Sequence, residues 1–199
     1  MDATPYEQID RLLRPLAALP AEEIARCAAL FHPRSAGRGE LLLQAGVVPQ
    51  SLVLVCAGLL RLFYIAPDGR EYTKSFCLAG ELVAAYSALL RAEPSRLFID
   101  ALEDSQLLVA DYAAYQALAA GHPGWARVNQ RRAELLFIKK EQREASLLLD
   151  DAETRYRQFL ADYPGLEARV RQHHIASYLG ITPVALSRIR ARMSRINPG

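Results

Sequence analysis

The residues with the clearest chemistry are arginines gathered near the end of the chain. Residues 168–199 contain six arginines and neither aspartate nor glutamate. The whole chain has a formal net charge of +2 and this segment contributes +6, so residues 1–167 carry −4. A guanidinium donates paired hydrogen bonds to phosphate oxygens and to guanine, so a basic segment of this kind predicts contact with a nucleic acid. The six are Arg169, Arg171, Arg188, Arg190, Arg192 and Arg195.

Two short predicted helices joined by a tight turn position these side chains. Ile175 and Leu179 are four residues apart and share one face of the first helix. Gly180 can adopt the positive φ that ends this helix. Thr182 is placed to cap the second helix, and Pro183 lies in its first turn, where a missing N–H has no cost.

The second helix has an inner and an outer face. Leu186 and Ile189 are three residues apart and face back toward the first helix. A helix–turn–helix that reads DNA needs such a buried seam and a second helix whose outer face can enter the major groove. The alternative is a solvated amphipathic helix pair that packs on the rest of the protein. The outer face comprises Pro183, Val184, Ser187, Arg188 and Ala191.

The composition is that of a soluble globular protein with one or two domains. Hydrophobic residues make up 51% of the 199 residues and charged residues 23%. No apolar run approaches the roughly 20 residues of a membrane span, and residues 1–5 do not resemble a signal peptide, so a cytoplasmic location is expected. Cys27, Cys56 and Cys77 are widely spaced without a CxxC pair, which favours buried reduced thiols over disulfides or zinc.

No catalytic signature stands out. The chain has no HExxH motif, no P-loop and no metal-ligand spacing, and its four histidines are scattered. We therefore expect that the protein is not an enzyme, and no cofactor is identified.

The first two-thirds of the chain change from helices to strands and back. Residues 5–30 have helical periodicity, and residues 35–39 are interpreted as a turn. Residues 67–69 (Pro-Asp-Gly) form a hairpin turn in which Pro presets φ and Gly accepts a positive φ. Short strands with turns every 8–12 residues predict a compact β-barrel or roll within an α+β protein. The predicted strands are 40–44, 51–56, 59–65, 71–77, 97–99 and 106–109.

A long helix is predicted from about Trp125 to Asp150. It is either an intramolecular helix packed on the roll or the seam of a parallel dimer. The dimer is favoured because a helix–turn–helix usually binds two half-sites as a two-fold pair. Residues 150–152 form the predicted hinge, and residues 163–165 (Tyr-Pro-Gly) end the following helix. Residues near heptad spacing are Val128, Leu135, Ile138, Gln142, Ala145 and Leu149.

The order of these elements resembles the cyclic-AMP receptor protein / fumarate-nitrate regulator (Crp/Fnr) family over nearly the whole chain. The most specific segments are residues 153–160 (ETRYRQFL) and 175–189 (IASYLGITPVALSRI), and Gly46, Gly58 and Gly80 fall where such rolls turn. The resemblance implies a homodimeric bacterial transcription factor with a double-stranded DNA operator and RNA polymerase as partners. It also implies an effector domain at 1–124, a dimerisation helix at 125–150 and a DNA-binding domain at 151–199.

Individual DNA contacts follow from the same resemblance. Arg188 matches the recognition-helix arginine that contacts guanine, where a bidentate fork is worth about 1–3 kcal/mol of discrimination. Pro183 and Val184 replace polar base readers, so contact with a thymine methyl and a different operator are expected. Candidates for phosphate contact are Thr182, Arg190 and Arg192.

Two other features of the basic segment have no single interpretation. His173 and His174 begin the first helix, where capping or phosphate contact is as plausible as plain solvent exposure. Residues 193–199 are too few for the β-hairpin wing that the family often adds, so we expect the domain to lack a full wing.

The effector cassette can be aligned in two registers. In the family's cyclic-nucleotide binders, a Glu binds the ribose and an Arg ten residues later pairs with the cyclic phosphate. One register uses Glu81 and Arg91 but needs four extra residues before the next strand. The gap-free register places Ala85 at the ribose position and Ser95 at the phosphate position, with Arg96 one step late.

We favour the gap-free register, and it argues against cyclic AMP as the effector. Nucleobase-contacting positions on the long helix fall on Lys140 and Glu141, and a Glu beside a phosphate-bearing ligand is unfavourable. Another small anion could bind Tyr86, Ser95 and Arg96. Equally, Arg96 could form a salt bridge to Glu93 or Asp100, which is the more ordinary interpretation.

Other effectors lack their usual signals. An iron–sulfur sensor of this family has a cysteine cluster near its N-terminus, where only Cys27 lies. A haem sensor needs a pocket ligand, but Cys77 and His32 are better interpreted as a buried thiol and a loop residue. Two alternatives to the leading hypothesis are a cyclic-nucleotide-responsive regulator using Glu81 and Arg91, and a sensor or scaffold that acts through a protein partner without DNA.

Overall fold

The structure is a computed structural model that describes residues 3–196. The described residues form two compact units, one of residues 3–62 with 76–137 and the other of residues 63–75 with 138–196. Residues 63–75 are the end of a β-hairpin that groups with the C-terminal helices.

Two short helices open the chain, as the periodicity predicts. They are α1 (Pro5–Leu13) and α2 (Ala21–Ala28). Thr4 and Glu7 form a capping box in which the Thr4 backbone N–H donates to Glu7 Oε2 at 2.7 Å. Ile9 is fully buried and contributes to the core beneath these helices.

Within residues 3–196, eight strands form two four-stranded sheets. The first sheet has the order β1-β8-β3-β6 and the second β2-β7-β4-β5. Strand β3 pairs antiparallel with β8, with Val53 opposite Val109. All six predicted strands are found within a few residues of their predicted bounds. The strands are β1 (His32–Ala36), β2 (Leu41–Leu43), β3 (Ser51–Ala57), β4 (Leu59–Ile65), β5 (Glu71–Leu78), β6 (Leu82–Val83), β7 (Phe98–Ala101) and β8 (Ser105–Asp111).

Several elements differ from the sequence expectation. His32 lies in strand β1 rather than in a loop, and the predicted turn at 35–39 begins only after that strand ends. Four of the five β1 residues are exposed because β1 is the edge of its sheet, so the segment lacks the alternating pattern that reveals a strand. Strand β6 and the short helix α3 (Tyr86–Arg91) were not predicted, and both are too short to show a period.

Two hydrophobic cores hold the first unit together. One lies between the sheets, because its side chains come from both: Val53 and Leu107 from the first, Leu62 and Ile99 from the second. The other core joins the first sheet to α1, α2 and the helices after β8. At its centre Trp125 is fully buried, and its indole N–H donates to Glu23 Oε2 at 2.8 Å.

The long predicted helix is present as α5 (Gly124–Leu149), after α4 (Tyr112–Ala120). Asp111 caps α4 by accepting a hydrogen bond from the Ala114 N–H at 2.8 Å. Val128 was expected near the heptad seam, but it is fully buried in the core of the first unit. The first turns of α5 are therefore intramolecular, and residues 133–142 are exposed.

Four helices follow α5 in the part of the second unit that the structure describes. Asp151 caps α6 by accepting a hydrogen bond from the Thr154 N–H at 2.7 Å. The interruption between α5 and α6 therefore coincides with residues 150–152, where the hinge was predicted. Tyr156, Phe159, Tyr163 and Tyr178 form an aromatic cluster beneath these helices, with ring centroids 5.5–6.3 Å apart in the contacting pairs. The helices are α6 (Ala152–Asp162), α7 (Leu166–Arg169), α8 (Gln172–Leu179) and α9 (Pro183–Ile196).

Candidate nucleic-acid interface

The turn between α8 and α9 has the predicted backbone conformation and helix cap. Gly180 ends α8 in the left-handed region with φ of 70°. The next N–H, of Ile181, donates to Ala176 O at 3.0 Å. Thr182 Oγ1 accepts from the Ala185 N–H at 3.2 Å and thereby caps α9, whose first residue is proline.

A buried seam joins the two helices, also as predicted. Ile175, Leu179 and Leu186 are fully buried, and Ile189 is nearly so. Burying a leucine or isoleucine side chain contributes about 1.5–3 kcal/mol, so this seam holds α9 firmly against α8. The two helices therefore form a helix–turn–helix.

The opposite face of α9 is open to solvent. Val184 is 61% exposed, although it is a large apolar side chain. Arg188 is exposed one turn further along the helix. These exposed positions are the ones that a groove-reading helix would use. The exposed residues are Thr182, Pro183, Val184, Ser187, Arg188 and Ala191.

Two predicted phosphate-binding arginines have partners within the domain. Arg190 Nε donates to the Tyr156 hydroxyl at 2.9 Å, and its Nη2 lies 3.4 Å from Glu167. Arg192 pairs with Glu153. Exposed ion pairs contribute at most about 1 kcal/mol, so a phosphate could replace either carboxylate at small cost. Their role toward phosphate stays a prediction.

The histidines differ in exposure. His173 is exposed, whereas His174 is largely buried with its ring centroid 3.9 Å from that of His173. Residues 193–196 continue α9, and the end of the segment expected to lack a wing, residues 197–199, lies outside the described residues.

Three side chains that sequence reasoning missed converge on the last turn of α8. Arg143 donates to Tyr178 O, Arg155 Nε donates to Leu179 O at 2.9 Å, and Ser177 binds the hairpin backbone. Partial burial lowers the pKa of the Arg143 guanidinium, since the charged form is desolvated there. No local sequence pattern reveals these contacts, because the partners lie 24–106 residues away in sequence.

The effector-cassette positions are occupied by small or internally bonded side chains. Ala85 is buried at the start of α3. Ser95 is buried, and its hydroxyl accepts from the Leu97 N–H at 2.9 Å and donates to Leu97 O at 3.2 Å. The Ser95 backbone also bonds to Gly46 and Val47. Tyr86 is half-buried against the helical core.

The charged candidates of the cassette are engaged elsewhere or open to solvent. Glu81 accepts from the Leu78 N–H at 2.7 Å within its own turn. Arg91 is exposed and pairs with Glu93 at 3.0 Å, while Asp100 pairs with buried Arg61 at 2.8 Å. Arg96 is exposed, and its two proposed acidic partners thus have other partners. Lys140 and Glu141 are also exposed, on α5.

The thiols are predominantly buried. Cys27 and Cys77 are buried and Cys56 is half-buried, and none of the three forms a disulfide. Burial raises the pKa of Cys27 to about 12. Within the described chain, no group of three or more His, Cys, Asp or Glu side chains could hold a metal ion. Among the same residues, no helix is long and apolar enough to cross a membrane.

Cys27 should resist alkylation in the native protein. Only the thiolate reacts, and its pKa of about 12 leaves almost none at pH 8. We expect Cys27 to be modified far more slowly than half-buried Cys56, followed by mass spectrometry of peptides after timed iodoacetamide treatment. In urea both thiols should react at similar rates. Faster modification of Cys27 than of Cys56 under native conditions would contradict the burial of its thiol.

Comparison with known proteins agrees with this architecture. The family model described as the cyclic nucleotide-binding domain matches residues 33–122. A Cyclic AMP receptor protein of Thermus thermophilus is 30% identical over 193 residues, covering 91% of this chain and 88% of the relative. The solved structure of FixK2 from Bradyrhizobium japonicum has a TM-score of 0.73 at 21% identity, covering 83% of this chain and 85% of that chain. Thermus thermophilus Catabolite Activator Protein has a TM-score of 0.58 at 26% identity, covering 93% and 87%.

A β-roll flanked by helices, a long helix and a C-terminal helix–turn–helix form the architecture of a transcriptional regulator. Together with the full-length similarity, this shows that the chain belongs to the Crp/Fnr family of transcriptional regulators. The expected fold class and family are confirmed. Its relatives are regulators rather than enzymes.

Proposed function

We propose that this regulator binds a two-fold DNA operator as a homodimer, with one α9 in each of two successive major grooves. The observation that carries the proposal is the exposed outer face of α9, presented by a helix whose inner face is fully buried. An α-helix fits the major groove of B-DNA, and two-fold dimers bind half-sites one helical turn apart.

Base reading is assigned to the outer face of α9. Arg188 is exposed and can place its guanidinium fork against guanine O6 and N7. Pro183 and Val184 lie one turn earlier and offer apolar surface that suits a thymine methyl. This combination predicts an operator with guanine and thymine at nearby positions of each half-site.

Phosphate contacts are assigned to side chains around the reading face. Thr182 is exposed at the start of α9. Arg190 and Arg192 would exchange their carboxylate partners, Glu167 and Glu153, for phosphates as the duplex approaches. Such contacts position the protein without reading sequence, and they make the affinity fall as salt rises.

The homodimer is assigned to α5. Large apolar side chains on this helix are open to solvent in the single chain, among them Ile138 (45% exposed) and Leu149 (83%). An apolar stripe of this size on a charged helix favours a protein contact. Leu135, Ile138, Gln142, Ala145 and Leu149 keep heptad spacing, which a second copy of the same helix would match.

The effector is proposed to be something other than cyclic AMP. Binding of a cyclic phosphate needs a cation at the phosphate position, and buried Ser95 stands there in the gap-free register. A ribose hydroxyl needs an acceptor, and Ala85 has none. Helix α3 and the Ser95 loop fill the stretch between β6 and β7, which supports the gap-free register.

The proposed function is tested by selecting binding sites from random duplex DNA. We expect the purified protein to select a palindromic sequence whose half-sites lie about 10 base pairs apart from centre to centre. Selection of no sequence at any salt concentration would contradict the proposal. It would then favour a sensor that acts through a protein partner.

Titration with cyclic AMP and cyclic GMP should give no binding in the micromolar range. The missing Arg–phosphate pair and ribose acceptor remove the charge-assisted contacts on which such affinity depends. Isothermal titration calorimetry measures this directly, and adenosine, which lacks the phosphate, serves as a control for binding of the base and ribose. Micromolar binding that is abolished by Glu81→Ala or Arg91→Ala would overturn the gap-free register and identify the alternative site.

A further inference from the structure

We propose that the last turn of α8 sets the angle at which α9 is presented to DNA, with Arg143, Arg155 and Ser177 as positioning residues. These three side chains would act on the operator only through that angle. The inference rests on the proposed function, because the angle matters only when two α9 helices must reach two half-sites together.

Three consecutive residues of α8 are bound by three different elements of the second unit. Ser177 is held by strand β5, Tyr178 by α5 and Leu179 by α6. Gly180 follows at once and leads into α9. A helix that is fixed at successive residues from three directions cannot rotate without breaking several contacts.

The contact from α5 combines charge and stacking. The Arg143 guanidinium donates to Tyr178 O and lies 4.0 Å from the centroid of the Tyr178 ring. The last carbonyls of a helix have no partner within the helix, and they carry the negative end of its dipole. A half-buried cation at this position therefore ties the dimerisation helix to the end of α8.

The contact from α6 joins two helix ends. Arg155 Nε donates to Leu179 O at 2.9 Å, and Arg155 Nη1 donates to Asp150 O at 2.6 Å. Asp150 immediately follows α5. One guanidinium therefore spans the end of the long helix and the end of α8, across the predicted hinge at residues 150–152.

The contact from the hairpin uses one hydroxyl in both directions. Ser177 Oγ donates to Glu71 O at 2.8 Å and accepts from the Thr73 N–H at 2.8 Å. Both partners belong to β5, the strand that leads from the hairpin back into the roll. The neighbouring Thr73 Oγ1 is buried and makes no hydrogen bond within the described chain. The Thr73 hydroxyl therefore serves as a matched control for the Ser177 hydroxyl at the same contact.

The functional consequence concerns half-site spacing rather than base reading. A two-fold regulator gains affinity from its second head only if that head reaches its half-site without further cost. If the α8 contacts loosen, each α9 still reads one half-site, but the two heads are no longer held at a fixed separation. Affinity for the whole operator then falls, and discrimination between spacings weakens.

The test compares single half-site DNA with the full operator chosen by selection. For Arg155→Gln and Arg143→Gln we expect full-operator affinity to fall about tenfold, as for loss of a charge-assisted contact, while half-site affinity changes less than about twofold. Operators with half-sites moved by one base pair should be disfavoured less by the variants than by the wild type. Arg127→Gln makes the same substitution at an exposed position of α5 and should leave all three measurements unchanged.

A milder pair keeps the test decisive if the arginine variants fail to fold. Ser177→Ala removes one oxygen and should lower full-operator affinity about threefold with unchanged half-site affinity, whereas Thr73→Val removes an unbonded hydroxyl and should have no effect. Equal losses on half-site and full operator overturn the proposal, as does identical behaviour of Ser177→Ala and Thr73→Val. If the wild type selects no operator, the proposed function itself fails, and the positioning role loses its premise.

Discussion

Arg188→Ala should abolish sequence-specific DNA binding while leaving weak non-specific binding nearly intact. Arg188 is the exposed arginine of the proposed reading face, and a bidentate guanine contact is worth about 1–3 kcal/mol in each half-site. Loss from both halves of a two-fold complex amounts to roughly 30-fold to more than 10⁴-fold in Kd. Fluorescence anisotropy with the selected operator and a scrambled duplex, at one fixed salt concentration, measures both values.

Arg188→Lys separates base reading from charge. Lysine keeps the cation but lacks the planar fork, so this variant should lose most of the preference for the operator and keep its affinity for the scrambled duplex. Substitution of the guanine proposed to face Arg188 should weaken the wild type and leave Arg188→Ala unaffected. An Arg188→Ala protein that selects the same operator with unchanged Kd would refute the assignment of α9 as the reading helix.

The helix–turn–helix could be predicted from the sequence because its determinants are local. Gly180, Thr182 and Pro183 act within four residues of their own positions, through a positive φ, a cap and a missing N–H. Leu186 and Ile189 belong to a simple three-residue period. Residues that act through near neighbours leave a pattern that survives without any knowledge of the fold.

Elements that are stabilised by contacts with residues distant in sequence show weaker patterns in their own sequences. Strand β1 is held by its pairing with β8 and exposes most of its side chains, so its own sequence resembles a loop. Val128 fits a heptad as well as it fits a core, and only its burial with Trp125 in the core beneath α1 and α2 separates the two interpretations. The arginines of the α8 contacts likewise looked like solvated charges, because carbonyl acceptors 24 and 35 residues away are invisible in sequence.

The candidate site divides along the same line. The proposed reading face of α9 follows from the sequence periodicity, because it comprises the residues that are not buried against α8. The partners of Arg190 and Arg192 could not be predicted in this way, because Glu167 and Glu153 lie on other helices that only the fold brings close. A cluster of six arginines therefore overstates the free positive charge of the domain, and Arg188 is left as the sharper candidate for base contact.

Ile138→Glu should convert the proposed homodimer into a monomer and lower operator affinity at least a hundredfold. Ile138 is 45% exposed in the single chain at a d-type position of α5, where a two-fold seam would place it opposite its own copy. Two facing glutamates would repel each other in a desolvated seam, which costs several kcal/mol, and each head would then bind its half-site alone.

Lys140→Glu introduces the same side chain two residues away, outside the heptad seam, and should leave the dimer intact. Sedimentation velocity of both variants decides the matter. A dimeric Ile138→Glu protein would show that residues 125–150 are not the dimer seam, whereas a monomer that still binds the full operator like the wild type would show that DNA binding does not need two heads.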